Sequence, residues 1–154
     1  MGQAAPLGGK KVLIVEDDFL IAQDLQALLS AAGCTVCGTV ATSAAALTFL
    51  HHELPDGALL DVNLRGSDAS PVARALAVRG VPFMLVTAYE RRQLPLALRG
   101  HPCLTKPYSA ENLVAMATRT FAHSSDPLRT PACIEVSHGC ESIPLPLILD
   151  WRKP

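Results

Sequence analysis

The chain has 154 residues, an apolar fraction of 49%, a charged fraction of 18% and a formal net charge of −1. That length is enough for one domain with a sizeable core, and the near-zero charge excludes a broad basic field for nucleic acid or a membrane surface. No apolar run is long enough to span a bilayer. Met1 to Lys10 lacks a signal-peptide core and reads as a short flexible lead, so a cytoplasmic protein is expected.

In chain order, Lys11 to Glu16 is a short continuous run of apolar, largely branched residues, the pattern of a buried strand. Asp18 is placed to cap a helix from Phe19 to about Ala32, with Ile21, Leu25, Leu28 and Leu29 as its apolar stripe. Gly33 closes that helix, and Thr35 to Val40 is a second strand. Ser43 is read as the cap of a helix from Ala44 to about His52. The turn Pro55-Asp56-Gly57 then leads into a third strand, Ala58 to Asp61.

Asn63 to Ala69 reads as a loop. Ser70-Pro71 starts a helix, with serine at the cap and proline in the first turn, that runs to about Arg79. After Gly80 a fourth strand covers Val81 to Val86. Pro95 falls inside Glu90 to Arg99, so any helix there is short or broken. His101 to Thr105 is the last strand. Ser109 caps a final helix to about Phe121, with Leu113, Ala117 and Phe121 on one face.

The alternation βαβαβαβαβα predicts a doubly wound α/β fold, a five-stranded parallel sheet with helices on both faces. The expected organisation is a lead over 1–10, one domain over 11–121, and a proline-rich tail over 122–154. Disorder is the expected state of the tail, although the apolar run Ile143 to Trp151 offers a segment that docks on the domain or engages a partner. The tail lacks two amphipathic helices and a basic patch, so no DNA-binding module is expected there.

Five cysteines, an odd number, argue against a complete disulfide framework. Cys34 and Cys37 have redox or zinc spacing, but they lead into a strand rather than open a helix and are read as buried or half-buried thiols. Cys133, His138 and Cys140 lack a convincing fourth metal ligand.

Charged or polar residues end four of the apolar runs: Glu16-Asp17, Asp61, Thr87 and Lys106-Pro107. In an open parallel sheet the carboxyl ends of the strands meet, and ligands bind there. One site assembled from distant sequence is therefore expected.

Four segments resemble the receiver domain of bacterial two-component response regulators: Val12-Leu13-Ile14-Val15-Glu16-Asp17-Asp18, Leu60-Asp61-Val62-Asn63-Leu64, Val86-Thr87-Ala88 and Thr105-Lys106-Pro107-Tyr108. The resemblance covers about residues 10–121. It implies a flavodoxin-like (βα)5 fold with strand order 2-1-3-4-5. It implies further that Asp61 accepts a phosphoryl group from a histidine kinase or a histidine phosphotransfer protein. Mg²⁺ would be held by Asp17, by Glu16 (through water) and by Asp61 and the Asn63 carbonyl. Lys106 would pair with the phosphoryl oxygens, Thr87 would hydrogen-bond the same group, and the Lys106–Pro107 bond would be cis.

A narrower resemblance, to the FAT GUY single-domain receivers, is carried by Asp61 to Gly66, Arg79 to Phe83, Leu94-Pro95 and Lys106-Pro107-Tyr108. It departs at Ala88, where that subgroup usually has glycine. Cys103 stands where many receivers carry the aromatic residue coupled to the threonine. Tyr89 is a candidate shield for the acyl phosphate, and Tyr108 a candidate for a partner-facing or a packing role.

The resemblance implies a stand-alone receiver, a phosphoprotein rather than an enzyme, acting as a protein-binding switch, relay or sink toward an unnamed downstream protein; homodimerisation stays open. The competing readings are a phosphorylation-independent adaptor and a phosphatase of the haloacid dehalogenase type. The latter needs an acid/base aspartate where Asn63 stands. A flavin or nucleotide binder would need a glycine-rich loop after the first strand, which is absent.

Overall fold

A computed structural model of the chain describes residues 5–122. The strands are β1 (Lys11–Val15), β2 (Thr35–Val40), β3 (Gly57–Leu60), β4 (Asn63–Leu64), β5 (Ser67–Asp68), β6 (Phe83–Thr87) and β7 (Cys103–Thr105). The helices are α1 (Phe19–Ala31), α2 (Ser43–His52), α3 (Ser70–Val78) and α4 (Ala110–Phe121). Five strands form one parallel sheet in the order β2-β1-β3-β6-β7, and β4 and β5 form a separate small hairpin. Counting only the strands of the large sheet, this is the expected 2-1-3-4-5 order.

The central strands are buried on both faces, which is why they read as continuous apolar runs rather than as alternation. The two-residue period then sorts their side chains into two cores. Leu13, Val15, Ala58, Leu60, Phe83 and Leu85 pack with α2 and α3. Val12, Ile14, Leu59, Met84 and Val86 pack with Leu25 and Leu29 of α1 and with Leu113, Ala117 and Phe121 of α4. Each fully buried Val, Leu, Ile, Met or Phe side chain among them contributes about 1.5–3 kcal/mol of apolar transfer. No helix among the described residues is long and apolar enough to cross a membrane.

The helix starts show where local chemistry was misread. Asp18 does cap α1, accepting from Leu20 N–H and Ile21 N–H, and Ser109 caps α4 through Asn112 N–H. The cap of α2, however, is Thr42, whose hydroxyl accepts from Ala45 N–H, while Ser43 Oγ donates to the Asp68 carbonyl. Ser70 is already inside α3. Ala69 is its cap residue, and the Asp68 carboxylate accepts from both Ser70 N–H and Ser70 Oγ.

Glu90 to Arg99 contains two single 3₁₀ turns, Arg91–Gln93 and Leu96–Leu98, on either side of Pro95. The Arg99 guanidinium ties them together, donating to the carbonyls of Leu94 and Arg92 at 2.8 Å each.

Two further departures lie at the edges. The loop at 63–69 is a hairpin, with Asn63 opposite Asp68 and Leu64 opposite Ser67. The lead is not free of the domain: Leu7 is only 2% exposed and joins the α1/α4 core. Leu7 N–H donates to the Ala32 carbonyl, and Gly9 N–H to the Gly33 carbonyl. An isolated leucine among glycines and alanines has no period, so this docking had no signature in the sequence. The expectations for residues 123–154, including Ile143 to Trp151 and the Cys133/His138/Cys140 group, lie outside the described residues.

Candidate functional site

The parallel register brings the expected residues together. Val15 of β1 stands beside Leu60 of β3, so Glu16-Asp17 and Asp61 leave the sheet at the same level. Asp61 N–H donates to the Val15 carbonyl at 2.9 Å, which carries the pairing one residue past the strand. On the other side Thr87 of β6 pairs with Thr105 of β7, and Lys106 N–H donates to the Thr87 carbonyl at 2.8 Å. The Lys106–Pro107 peptide is cis.

Glu16, Asp17 and Asp61 each present one carboxylate oxygen, and these three atoms lie within 4.8 Å of one another. Glu16 and Asp61 are buried, Asp17 partly so. Three carboxylates this close repel one another, and cations answer the charge. Lys106 Nζ lies 2.9 Å from Glu16 Oε2 and 3.5 Å from Asp61 Oδ2. Backbone donors add to it: Asp18 N–H reaches Glu16 Oε1 at 3.1 Å and Asn63 N–H reaches Asp61 Oδ1 at 3.2 Å.

Burial raises the Glu16 carboxyl above its ordinary value. The hydrogen bonds from Lys106 and Asp18 N–H pull it back, and the charge of Asp61 raises it further. An all-oxygen donor set of this kind fits a hard divalent cation.

Thr87 is fully buried at the end of β6, and its Oγ1 accepts from Tyr89 N–H at 3.1 Å. Tyr89 is 40% exposed. Asn63, on the hairpin, is exposed and meets the cluster through its backbone. Tyr108 is half-buried against the α1/α4 core, where burial and the nearby Asp24 and Glu16 charges push its hydroxyl up to about 12. The packing reading of Tyr108 is thus the one with contacts behind it. Cys103 is half-buried against the opposite core. Cys34 and Cys37 are free thiols, as expected.

One residue at this site was not singled out in the sequence. Arg65 Nε lies 3.6 Å from Asp17 Oδ2, and Arg65 Nη2 donates to the Asp17 carbonyl at 3.4 Å. The signal was the dipeptide Arg65-Gly66, whose residues both adopt positive φ (47° and 77°) as the two-residue turn of the hairpin.

Residues 12–118 match the response regulator receiver domain family. The phyllosphere-induced regulator PhyR of Methylorubrum extorquens is 31% identical over 116 residues, covering 72% of this chain and 43% of PhyR. The chain spans about half the length of the curated relatives it matches.

Among solved structures, SdrG from Sphingomonas melonis Fr1 is 38% identical with a TM-score of 0.65, covering 73% of this chain and 96% of SdrG. The receiver domain of the sensor histidine kinase PA1611 from Pseudomonas aeruginosa, solved with a magnesium ion coordinated in its active-site cleft, is 25% identical with a TM-score of 0.66. It covers 75% of this chain and 99% of that domain. The match over residues 12–118, together with the shared fold, shows that this chain belongs to the response regulator receiver domain family.

Proposed function

We propose that the chain is a phosphoacceptor. Asp61 takes a phosphoryl group from the phosphohistidine of a histidine kinase or a histidine phosphotransfer protein, with Mg²⁺ as cofactor. A downstream protein then binds the phosphorylated form or receives the group in turn. The observation that supports this most is the convergence of Glu16, Asp17, Asp61 and Lys106 from three separate strand ends. On this reading the protein is a cytoplasmic signalling component. Its own chemistry is limited to accepting and losing the group.

The step is a displacement at phosphorus. An Asp61 carboxylate oxygen forms the new O–P bond, the N–P bond of the donor breaks, and the imidazole leaves. Glu16, Asp17, Asp61 and the Asn63 carbonyl would hold the cation. When bound, it would neutralise charge between an anionic nucleophile and an anionic phosphoryl group.

Lys106 is shared between Glu16 and Asp61 and is placed to shift onto the phosphoryl oxygens as the charge on Asp61 is consumed. Thr87 Oγ1 already accepts from Tyr89 N–H, which leaves its own hydrogen for a phosphoryl oxygen. Because that hydroxyl is tied to the backbone of Tyr89, its movement would be transmitted to the start of the segment at 90–99. A shift of the Thr87 loop between a phosphorylated and an unphosphorylated arrangement would then be the switch.

The test is intact-mass analysis after incubation with acetyl phosphate, with and without Mg²⁺, beside Asp61→Asn. A single phosphoryl adduct that requires both Mg²⁺ and Asp61 is the expected result. An adaptor that works without phosphorylation is the second reading, favoured by Cys103, which puts a half-buried thiol where the coupled aromatic residue is expected. A folded protein that forms no adduct and binds no Mg²⁺ would establish the adaptor instead.

A further inference from the structure

Among the described residues the acidic cluster has two cationic partners, and they are unlike. Lys106 is mostly buried and serves Glu16 and Asp61. Asp17 is served by Arg65, whose side chain is 74% exposed. Arg65 reaches Asp17 twice, at the carboxylate and at the backbone carbonyl. Its own backbone is held by the β4–β5 pairing and by the fully buried Leu64 beside it. The contact is therefore anchored at its base and open to water at its tip.

We propose that Arg65 acts as a charge gate on the metal site: its guanidinium holds Asp17 in the metal-free protein and weakens Mg²⁺ binding. The inference rests on the phosphoacceptor reading, in which Asp17 is a metal ligand. A guanidinium beside a ligand carboxylate lowers the negative potential that attracts a dication, and it occupies a ligand that the dication needs. Because the guanidinium is solvent-exposed while Asp17 is partly buried, the pair exchanges readily and its effect is modest and screened by salt. Arg65 is thus a tuning residue that sets the Mg²⁺ concentration at which the site loads. Both of its contacts with the cluster go to Asp17.

The test is Mg²⁺ titration of the full chain followed by amide ¹H–¹⁵N NMR shifts, for the wild type, Arg65→Gln, Arg65→Gly and Arg65→Lys, at low and high salt. Arg65→Gln and Arg65→Gly are expected to bind Mg²⁺ about two- to fivefold more tightly at low salt, an advantage that shrinks at high salt. Arg65→Lys is expected to stay close to the wild type. Glycine suits the positive φ at this position, so agreement between the Gln and Gly variants separates charge from turn strain.

The proposal is overturned if Arg65→Gln binds no more tightly than the wild type. It is also overturned if Arg65→Lys gains as much as Arg65→Gln, or if the gain ignores salt. In each of those cases the wild type still binds Mg²⁺ and the phosphoacceptor reading stands. A wild type that binds no Mg²⁺ would sink both.

Discussion

The Lys106 ammonium sits closer to Glu16 than to Asp61, at 2.9 Å against 3.5 Å. Its main partner is thus the most buried carboxylate, and Asp61 is the more weakly held of the two. Replacing Lys106 by Met removes the cation that, among the described residues, faces both. Breaking a buried pair from one side leaves uncompensated charge, part of which protonation of Glu16 absorbs, since its carboxyl is already raised. The variant is expected to be about 2–3 kcal/mol less stable in urea unfolding without Mg²⁺. An unchanged midpoint would mean that the backbone donors alone suffice.

Gly57 and Phe121 share one space. A Cβ at Gly57 would stand 2.5 Å from Phe121 Cδ1 and 2.6 Å from Cε1. Gly57→Ala is therefore expected to cost about 1–3 kcal/mol through overpacking. Phe121→Leu, destabilising by itself, is expected to cost less in the Gly57→Ala background than alone. A thermodynamic cycle with four urea curves measures that coupling, and additive effects would refute the shared-space account.

Leu7 tests the docking of the lead. Its side chain is buried, so Leu7→Ala is expected to destabilise by about 2–3 kcal/mol, near the low end for core leucines. A freely moving lead would give no change in the unfolding midpoint.

Burial pushes the Cys34 thiol up to about 11 from an ordinary 9.0. A folded-state value above the unfolded one means that the stabilising share of the neutral thiol is fully present below about pH 9 and is lost as pH rises through 11. Stability is therefore expected to fall on the alkaline side, with no pH dependence from this group near neutrality. At pH 8 the thiolate fraction is about a hundredfold lower than in the unfolded chain. Alkylation of Cys34 by iodoacetamide should slow by at least that factor, read by peptide mapping of the native and the urea-unfolded protein. Rapid native labelling at Cys34 would contradict its burial.

Much of this site was legible because its residues end strands. β1, β3 and β6 announce themselves as unbroken apolar runs, and polar residues at their ends can only meet at the carboxyl edge of a parallel sheet. What escaped was local. Thr42 and Ser43 are both good caps, and only the contact of Ser43 with the Asp68 carbonyl decides between them. The hairpin at Arg65-Gly66 was read as a loop because arginine is not among the residues that favour positive φ. With the hairpin went the guanidinium that reaches Asp17. Leu7 had no periodic neighbours to mark it. The hairpin's own pairs are local, but the contacts of Ser43 with Asp68, Arg65 with Asp17 and Leu7 with Ala32 join residues far apart in sequence, which no local pattern encodes.

The Arg99 clasp has a consequence for how the segment at 90–99 can change over time. Both of its acceptors are main-chain carbonyls, of Arg92 and Leu94, and a carbonyl is present whatever side chain a position carries. Glu90 and Gln93 do cap the first turn through their side chains, but the exposed side chains of Arg91 and Leu96 take no part in the bonds that shape the stretch. They can be exchanged one at a time while the backbone keeps its course. Substitutions on the outer face of the segment can thus accumulate without rebuilding what lies beneath.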